Sequence, residues 1–335
     1  TEPTAITFTT VSVNPTCNGG SDGSITVTAS GGTGVLQYSN DNGATFQASN
    51  IFSSLAAATY QIVVKDANNC LTAPSPVTLT APVAVTFTTA VVDVLCQGQA
   101  TGSITVTAAG GSGSYTYSKD NGATFQASNA FSGLIAGNYN VIVKDGSNCS
   151  SAMSVVAVTQ PAALTFTTST VNVSCNGLTD GSITVTAAGG TVAYQYSKDN
   201  GATFQAGNVF SSLAAGSYTI VVKDAHACST SSLVTLTQPT AVTASVATAN
   251  VSCNGGSNGT ITVTAGGGSG AGYQYSSDNG GSFQASNTFS GLTAGSYTVI
   301  VKDGANCTSA SVPVTITQPT AISFSTTNVN PLCNG

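Results

Sequence analysis

Apolar and polar residues alternate with a period of two along most of the chain. Ile25, Val27 and Ala29 interleave with Ser24, Thr26 and Thr28, and Tyr60, Ile62 and Val64 interleave with Gln61, Val63 and Lys65. Alternation of this kind, rich in β-branched residues, marks strands with one buried face. The pattern predicts a strand over Ile6–Val13, inward Leu36 and Tyr38, short strands around Phe46 and Phe52, and a last strand with Val77 and Leu79. Gly31-Gly32 and Asp41-Asn42-Gly43 supply the turns, because Gly and Asn tolerate positive φ. No apolar stripe of period 3.6 reaches useful length, so essentially no helix is expected. Seven short strands in about 80 residues predict an all-β antiparallel sandwich of immunoglobulin or fibronectin type III kind.

The same pattern then returns. Cys17, Cys96, Cys175, Cys253 and Cys333 are spaced by 79, 79, 78 and 80 residues, and Cys70, Cys149, Cys228 and Cys307 by 79 each time. The segments SITVTA (TITVTA in the fourth copy), YSKDNGATFQASN and its variants, and a closing Pro82, Pro161, Pro239 or Pro319 recur in step. The expected organisation is four repeats, 1–82, 83–161, 162–239 and 240–319, with 320–335 as the first strand of a fifth. The expectation is a window on a longer array, a mature chain or fragment, whose stacked sandwiches form an elongated rod.

Composition narrows the function. Charged residues are 5% of the 335, with six Lys, no Arg, one Glu, one His, no Trp and a net charge of −6. Average soluble proteins carry about 25%. Six scattered lysines cannot neutralise a phosphate backbone, so nucleic acid is excluded as a partner. A mean hydropathy of +0.22 with abundant Val, Ile and Thr argues against disorder. No apolar run approaches the ~18 residues needed to span a bilayer as a helix. Whatever the fold requires should recur four times, and no recurring set pairs a nucleophile with a base. The reading is therefore no enzyme, no catalytic residue and no cofactor. His226 occurs in one repeat only.

Three recurring motifs read as structural. Ser39-x-Asp41-x-Gly43-x-Thr45-Phe46 and the copies at Asp120-x-Gly122, Asp199-x-Gly201 and Asp278-x-Gly280 resemble the Asp-box. In that hairpin device, carboxylate and hydroxyl bind the turn backbone and the aromatic packs beneath. Tyr60, Tyr139, Tyr218 and Tyr297 follow a Leu-x-x-Gly-x-Tyr pattern, with Ala58 replacing the Gly in the first copy. They read as a tyrosine corner between sheets. Lys65-Asp66, Lys144-Asp145, Lys223-Asp224 and Lys302-Asp303 end a strand in each repeat. They read as a solvated Lys and a turn-capping Asp rather than an isopeptide or calcium site. Calcium wants six to eight oxygens, and the other candidate loop holds Asp22, Thr101, Asp180 and Asn258, not a constant carboxylate. No metal is expected. Val63, Ile142, Val221 and Ile300 fall on the outward side of that strand. They predict an exposed apolar stripe for chain–chain contact in a fibril, with partial cover by Tyr or Lys stems as the alternative.

Two cysteines per repeat without CxxC spacing read as disulfides, not zinc sites. Pairing within a repeat, as Cys17–Cys70, spans 53 or 54 residues. In the predicted topology those two loops lie at opposite ends, about 23 Å apart at 3.3 Å per residue. Disulfide Cα atoms must approach within about 7 Å. End-to-end stacking instead pairs Cys17–Cys149, Cys96–Cys228 and Cys175–Cys307, leaving Cys70, Cys253 and Cys333 for neighbours outside this window. Both pairings stay open; the second is slightly preferred.

The string CNG-x-x-DGSITVTA-x-GG, then Y-x-YS, then L-x-AG-x-Y-x-V-x-V-K-D-x-x-x-C, then TQP resembles the SprB-type repeat of large cell-surface and gliding adhesins of Bacteroidota. The resemblance covers every repeat. It departs at the S-x-DNGATF hairpin, where many such repeats carry a shorter W-S-N-G turn. It implies export, by type IX secretion, and display as a surface stalk. Expected partners are further repeats of the same chain, identical chains in a fibril, or surface glycans. A carbohydrate-binding array is the alternative, with Tyr115, Tyr194 and Tyr273, predicted inward, as its only aromatic platforms.

Overall fold

The computed structural model describes residues 2–329; Cys333 lies outside them. The chain divides into two compact units, Thr1–Ala163 and Leu164–Gly335. Unit 1 opens with β1 (Thr7–Val13), β2 (Gly23–Ser30), β3 (Gln37–Ser39), β4 (Ile51–Leu55), β5 (Thr59–Lys65) and β6 (Ser75–Thr78). One sheet has the order β1-β2-β4 and the other β3-β5-β6. Every pair is antiparallel, from Thr7↔Ser30 to Val13↔Ser24 at one edge and from Gln37↔Lys65 to Ser39↔Val63 in the other sheet. The inward positions of the alternating pattern meet between the sheets. Ile25 and Val27 of β2 pack with Phe52 and Leu55 of β4, Ile62 and Val64 of β5, and Leu79. Four of these seven, Ile25, Val27, Ile62 and Val64, have no exposed surface. At about 1.5–3 kcal/mol for each fully buried aliphatic side chain, burial of this set is the main stabilising term of the repeat.

The pattern repeats in β7 (Thr86–Val92), β8 (Gly102–Ala109), β9 (Thr116–Ser118), β10 (Ala130–Leu134), β11 (Gly137–Lys144) and β12 (Ser154–Val158). The sheets are β7-β8-β10 and β9-β11-β12. Unit 2 holds two more copies. The first comprises β13 (Thr165–Val171), β14 (Gly181–Ala188), β15 (Gln195–Ser197), β16 (Val209–Leu213), β17 (Gly216–Lys223) and β18 (Ser229–Leu236). The second comprises β19 (Thr240–Ala249), β20 (Gly259–Gly268), β21 (Gln274–Ser276), β22 (Thr288–Leu292), β23 (Gly295–Lys302) and β24 (Val312–Ile316). Each copy again forms two three-stranded antiparallel sheets. The fold is all-β, immunoglobulin/fibronectin-like, and helix-free among the described residues.

Two expectations need correction. Each repeat has six strands, not seven. The stretch around Phe46 is no strand. It touches β3 only through the bridge Tyr38↔Gln47, because the side chain of Asp41 takes the N–H of Thr45 that a ladder would need. Second, the stripe on β5, β11, β17 and β23 is not exposed. Val63 is 3% and Val221 9% accessible, and Ile142 and Ile300 are half-buried. The Asp41–Phe46 hairpin folds over this outer face, close enough that a Cβ on Gly43 would touch both Phe46 and Val63. With that face covered, it offers no stripe for a second chain.

Candidate functional site

The chemistry of the chain gathers where one repeat meets the next within a unit, and it is built from two loops. The receiving loop follows β5. Asp66 is 3% accessible. Its Oδ1 accepts the N–H groups of Asn68 and Cys70, each at 2.9 Å, and its Oδ2 accepts the N–H of Thr33 at 2.9 Å. Asp145 holds Ser147, Cys149 and Ser112 in the same way, and Asp303 holds Ala305, Cys307 and Ser269. A buried carboxylate is tolerable only when its charge is met by donors. Here the donors are backbone N–H groups, so the oxygens face hydrogens and not a cation. The N–H of Thr33, then that of Cys70, holds the Asp66 carboxyl below the usual carboxylate range. Burial pushes Asp145 up, but the N–H groups of Ser112, Cys149 and Ser147 outweigh it. Gly111 makes the approach possible: at φ +63°, a Cβ there would lie 2.4 Å from the Asp145 carboxylate. The aspartate thus holds the backbone of the cysteine loop in the same way at the free Cys70 and at the bonded Cys149 and Cys307.

The inserting loop follows β1. The N–H of Thr16 donates to Asp22 Oδ1 at 3.0 Å, and Asn18 Nδ2 donates to the Pro82 carbonyl at 3.0 Å. In later copies the acceptor of the first bond is Thr101, Asp180 or Asn258. Hydroxyl, carboxylate and amide serve equally, so what the position needs is an acceptor, not a charge. Asn176 bonds the Pro239 carbonyl, and Gly177 N–H donates to Gln238 Oε1 at 2.8 Å. Asn14 adds a tie through Oδ1, which accepts the N–H of Thr80 at 2.9 Å. The Asn and Gln contacts were not singled out from sequence, since an amide beside proline in a Thr/Ser-rich chain carries no signal.

The two loops meet in disulfides. Cys17 joins Cys149, with Cα atoms 5.4 Å apart, and Cys175 joins Cys307 at 5.5 Å; each pair is 132 residues apart in sequence. Cys96 and Cys228 are also disulfide-bonded. Cys70 and Cys253 are free, exposed thiols, so Cys17 does not pair with Cys70 in the same repeat. Cys17 packs against the core of the second repeat and Cys175 against that of the fourth. The Sγ atoms of Cys149 and Cys307 also lie 3.4 Å from the carbonyls of Thr16 and Ser174. The clasp is therefore part of the receiving repeat's core, and Cys149 and Cys307 are 7% and 6% accessible.

The remaining recurring residues close each sandwich on itself. Ser39 Oγ donates to Asp41 Oδ1 at 2.6 Å and accepts Gly43 N–H at 2.9 Å, while Thr45 donates to Asp41 through both N–H and hydroxyl. Asp120, Asp199 and Asp278 make the same set, with Gly122, Gly201 and Gly280 in the turn. These bonds hold Asp41 and Asp120 down at about 2, through Ser39 then Thr45 for Asp41 and Thr124 then Ser118 for Asp120. The hydroxyls of Tyr60, Tyr139, Tyr218 and Tyr297 donate to the carbonyls of Ala56, Ile135, Ala214 and Thr293, four residues back, at 2.9–3.0 Å. Lys65, Lys144, Lys223 and Lys302 lie over Phe46, Phe125, Phe204 and Phe283 at 4.2–4.5 Å. Tyr115, Tyr194 and Tyr273 give their hydroxyls to the carbonyls of Gly110, Gly189 and Gly267. The lone His226 is exposed, with Nδ1 3.2 Å from Thr191 Oγ1.

The SprB repeat family matches four times, at 9–45, 88–124, 167–203 and 245–282. The chain is an array of SprB-type repeats. No curated protein matches it in sequence. Among solved structures, it is similar to the N-terminal eight Ig domains of Down Syndrome Cell Adhesion Molecule at 9% identity and a TM-score of 0.31. That match covers 95% of this chain, which spans 61% of the length of that one. An I-band fragment of titin matches at 15% identity and TM-score 0.30, over 72% of this chain and all of the fragment. Fibronectin(III)-like modules of Clostridium thermocellum CbhA match at 20% identity and TM-score 0.24, over 47% of this chain and 95% of theirs. In the SprB array the inserting cysteines Cys17 and Cys175 fall inside matched segments, and their partners Cys149 and Cys307 fall outside them.

Proposed function

We propose that this SprB array is a structural region of an exported surface protein, a disulfide-clasped stalk or extracellular fibril without catalytic activity. The observation that carries this reading is where the recurring polar chemistry goes. The hairpin aspartates, corner tyrosines and turn aspartates all bind their own repeat's backbone, and the Cys17–Cys149 and Cys175–Cys307 disulfides bind one repeat to another. Among the described residues, these recurring carboxylates and hydroxyls are engaged by the chain's own backbone. Disulfides of this number persist in oxidising surroundings, outside the cytoplasm. Each clasp closes a 132-residue loop, which restricts the unfolded chain more than a short loop does. That is the property a load-bearing surface stalk requires.

A glycan-binding array is disfavoured. It would need free aromatic platforms, and Tyr115, Tyr194 and Tyr273 are half-buried with their hydroxyls bonded internally. Electron microscopy of the native assembly, with antibody against these repeats, tests the proposal. Label along filaments outside the cell envelope is expected. Label confined to the cell interior would overturn it, and binding of the chain to a glycan array would revive the alternative.

A further inference from the structure

Eight Asn-Gly pairs lie among the described residues. Such a pair can react with itself, because a glycine without Cβ lets its backbone nitrogen reach the preceding asparagine Cγ. What holds that nitrogen decides whether it does. In the four hairpins, the N–H groups of Gly43, Gly122, Gly201 and Gly280 donate to the hydroxyls of Ser39, Ser118, Ser197 and Ser276 at 2.8–2.9 Å. Asn258 is held at both ends of its amide by Ser252, and Gly259 is buried in β20. In two of the inserting loops, the N–H groups of Gly177 and Gly255 donate to Oε1 of Gln238 and Gln318, each at 2.8 Å. The pair left over is Asn18-Gly19, in the first inserting loop.

There the residue in the place of Gln238 and Gln318 is Ala81, whose side chain has no oxygen to cap Gly19. The rest of the three loops matches closely. Asn18, Asn176 and Asn254 donate Nδ2 to the carbonyls of Pro82, Pro239 and Pro319 at 3.0, 3.2 and 3.0 Å. Gly19, Gly177 and Gly255 sit in the same turn, at φ +73°, +79° and +77°. All six residues of the three pairs are exposed. Cys17-Asn18-Gly19-Gly20-Ser21 is also identical in sequence to Cys253-Asn254-Gly255-Gly256-Ser257. Local sequence therefore cannot distinguish Asn18 from Asn254, whereas the cap can. The second repeat has Gln97 in place of the asparagine, and its Gly98 is capped by Gln160.

We propose that Asn18-Gly19 is a self-modification site, where the folded chain converts Asn18 to isoaspartate or aspartate, and that the glutamine before proline protects the corresponding pairs. The Gly19 nitrogen loses its proton and bonds to Asn18 Cγ. The Cγ–Nδ2 bond breaks, ammonia leaves carrying that proton, and a succinimide ring remains. Water then adds to one of the ring carbonyls and opens the ring to either acid. A capped glycine must first give up its bond to the glutamine, because ring closure turns its peptide plane toward the asparagine side chain. One ordinary hydrogen bond lost on the way slows the step by about threefold to tenfold. The product changes the clasp it sits in. The new carboxylate has no N–H to give the Pro82 carbonyl, and isoaspartate adds a methylene to the backbone next to Cys17. The proposal is independent of the surface-stalk reading, so its failure leaves that reading intact.

The test incubates the full oxidised chain in mildly alkaline buffer and follows deamidation at each asparagine by mass spectrometry of the digest, with protein isoaspartate methyltransferase labelling the isoaspartate. Asn18 is expected to react about threefold to tenfold faster than Asn176 and Asn254, and the hairpin asparagines to react slowest. Ala81→Gln should bring Asn18 down to the rate of Asn176, and Gln238→Ala should raise Asn176 toward the rate of Asn18. In urea, where no cap survives, Asn18 and Asn254 should react at one rate. Equal rates at Asn18 and Asn254 in the folded chain, or an Asn18 rate indifferent to Ala81→Gln, would overturn the proposal.

Discussion

At the scale of the residue, aspartate is a structural amino acid here. Every aspartate with a resolved shift lies below the ordinary carboxylate value, because hydroxyls and backbone N–H groups donate to it in the folded state. The consequence for pH has a definite sign. A folded value near 2 at Asp41 lies below the unfolded value of about 3.9, so its stabilisation is complete above about pH 4 and is lost as the pH falls toward 2. Urea unfolding across pH 7 to 2 should show a flat midpoint down to about pH 4 and a decline below it. A decline starting near pH 6 would contradict the assignment. Asp41→Asn should lower the midpoint at pH 7 and flatten the acid limb, since the amide offers Thr45 one acceptor oxygen where the carboxylate offers two. Tyrosine behaves similarly. Tyr139→Phe removes only the bond to the Ile135 carbonyl and should cost about 1 kcal/mol in equilibrium unfolding, with near-UV dichroism otherwise unchanged.

At the scale of the element, the hairpin after each third strand is a lid on the outer face of its sheet. Lys144 lies over Phe125, and Ile142 reaches Gly122 beneath the turn. Truncating Val63, which is almost wholly buried, to Ala should therefore cost about 1–2 kcal/mol, two methyl groups' worth of burial. A truly exposed stripe would instead tolerate the change within about 0.5 kcal/mol. Chemical denaturation of Val63→Ala discriminates the two. This element also marks what the sequence could and could not say. The period of two made β2 and β5 legible, because each buries alternate side chains against the other sheet. Parity tells which way Val63 points, but not what lies over that side. The cover comes from a segment that has no period at all and is shaped by Asp41 bonding its own backbone. The seventh strand was overcounted for the same reason, since Phe46 is an apolar residue held by a turn rather than by a ladder.

At the scale of the molecule, repeat spacing placed the cysteines in register, but pairing them needed the topology. Only the opposite ends of β1 and β5 keep Cys17 from Cys70 and hand it to Cys149. The contacts that aim each partner, Asn18 to the Pro82 carbonyl and Asp145 to the N–H of Cys149, have no periodicity by which to find them. The clasp has a mechanical corollary within unit 1. Loop-closure entropy assigns a 132-residue cross-link about 5 kcal/mol, against about 4 kcal/mol for one closing 53 residues. More important is how that energy is distributed. Because Cys17 belongs to one repeat by sequence and to the next by packing, opening the second repeat's core exposes the first repeat's loop as well. The oxidised 1–163 unit should therefore unfold in one calorimetric transition whose van't Hoff and calorimetric enthalpies agree. With Cys17→Ser and Cys149→Ser together, the midpoint should fall by the equivalent of about 2–5 kcal/mol. The transition should also broaden or split, because the two cores are then joined by one strand entry and not by a covalent ring. A double variant that unfolds later than, or as sharply as, the parent would mean that the bond merely decorates an interface already held by the Pro82 linker.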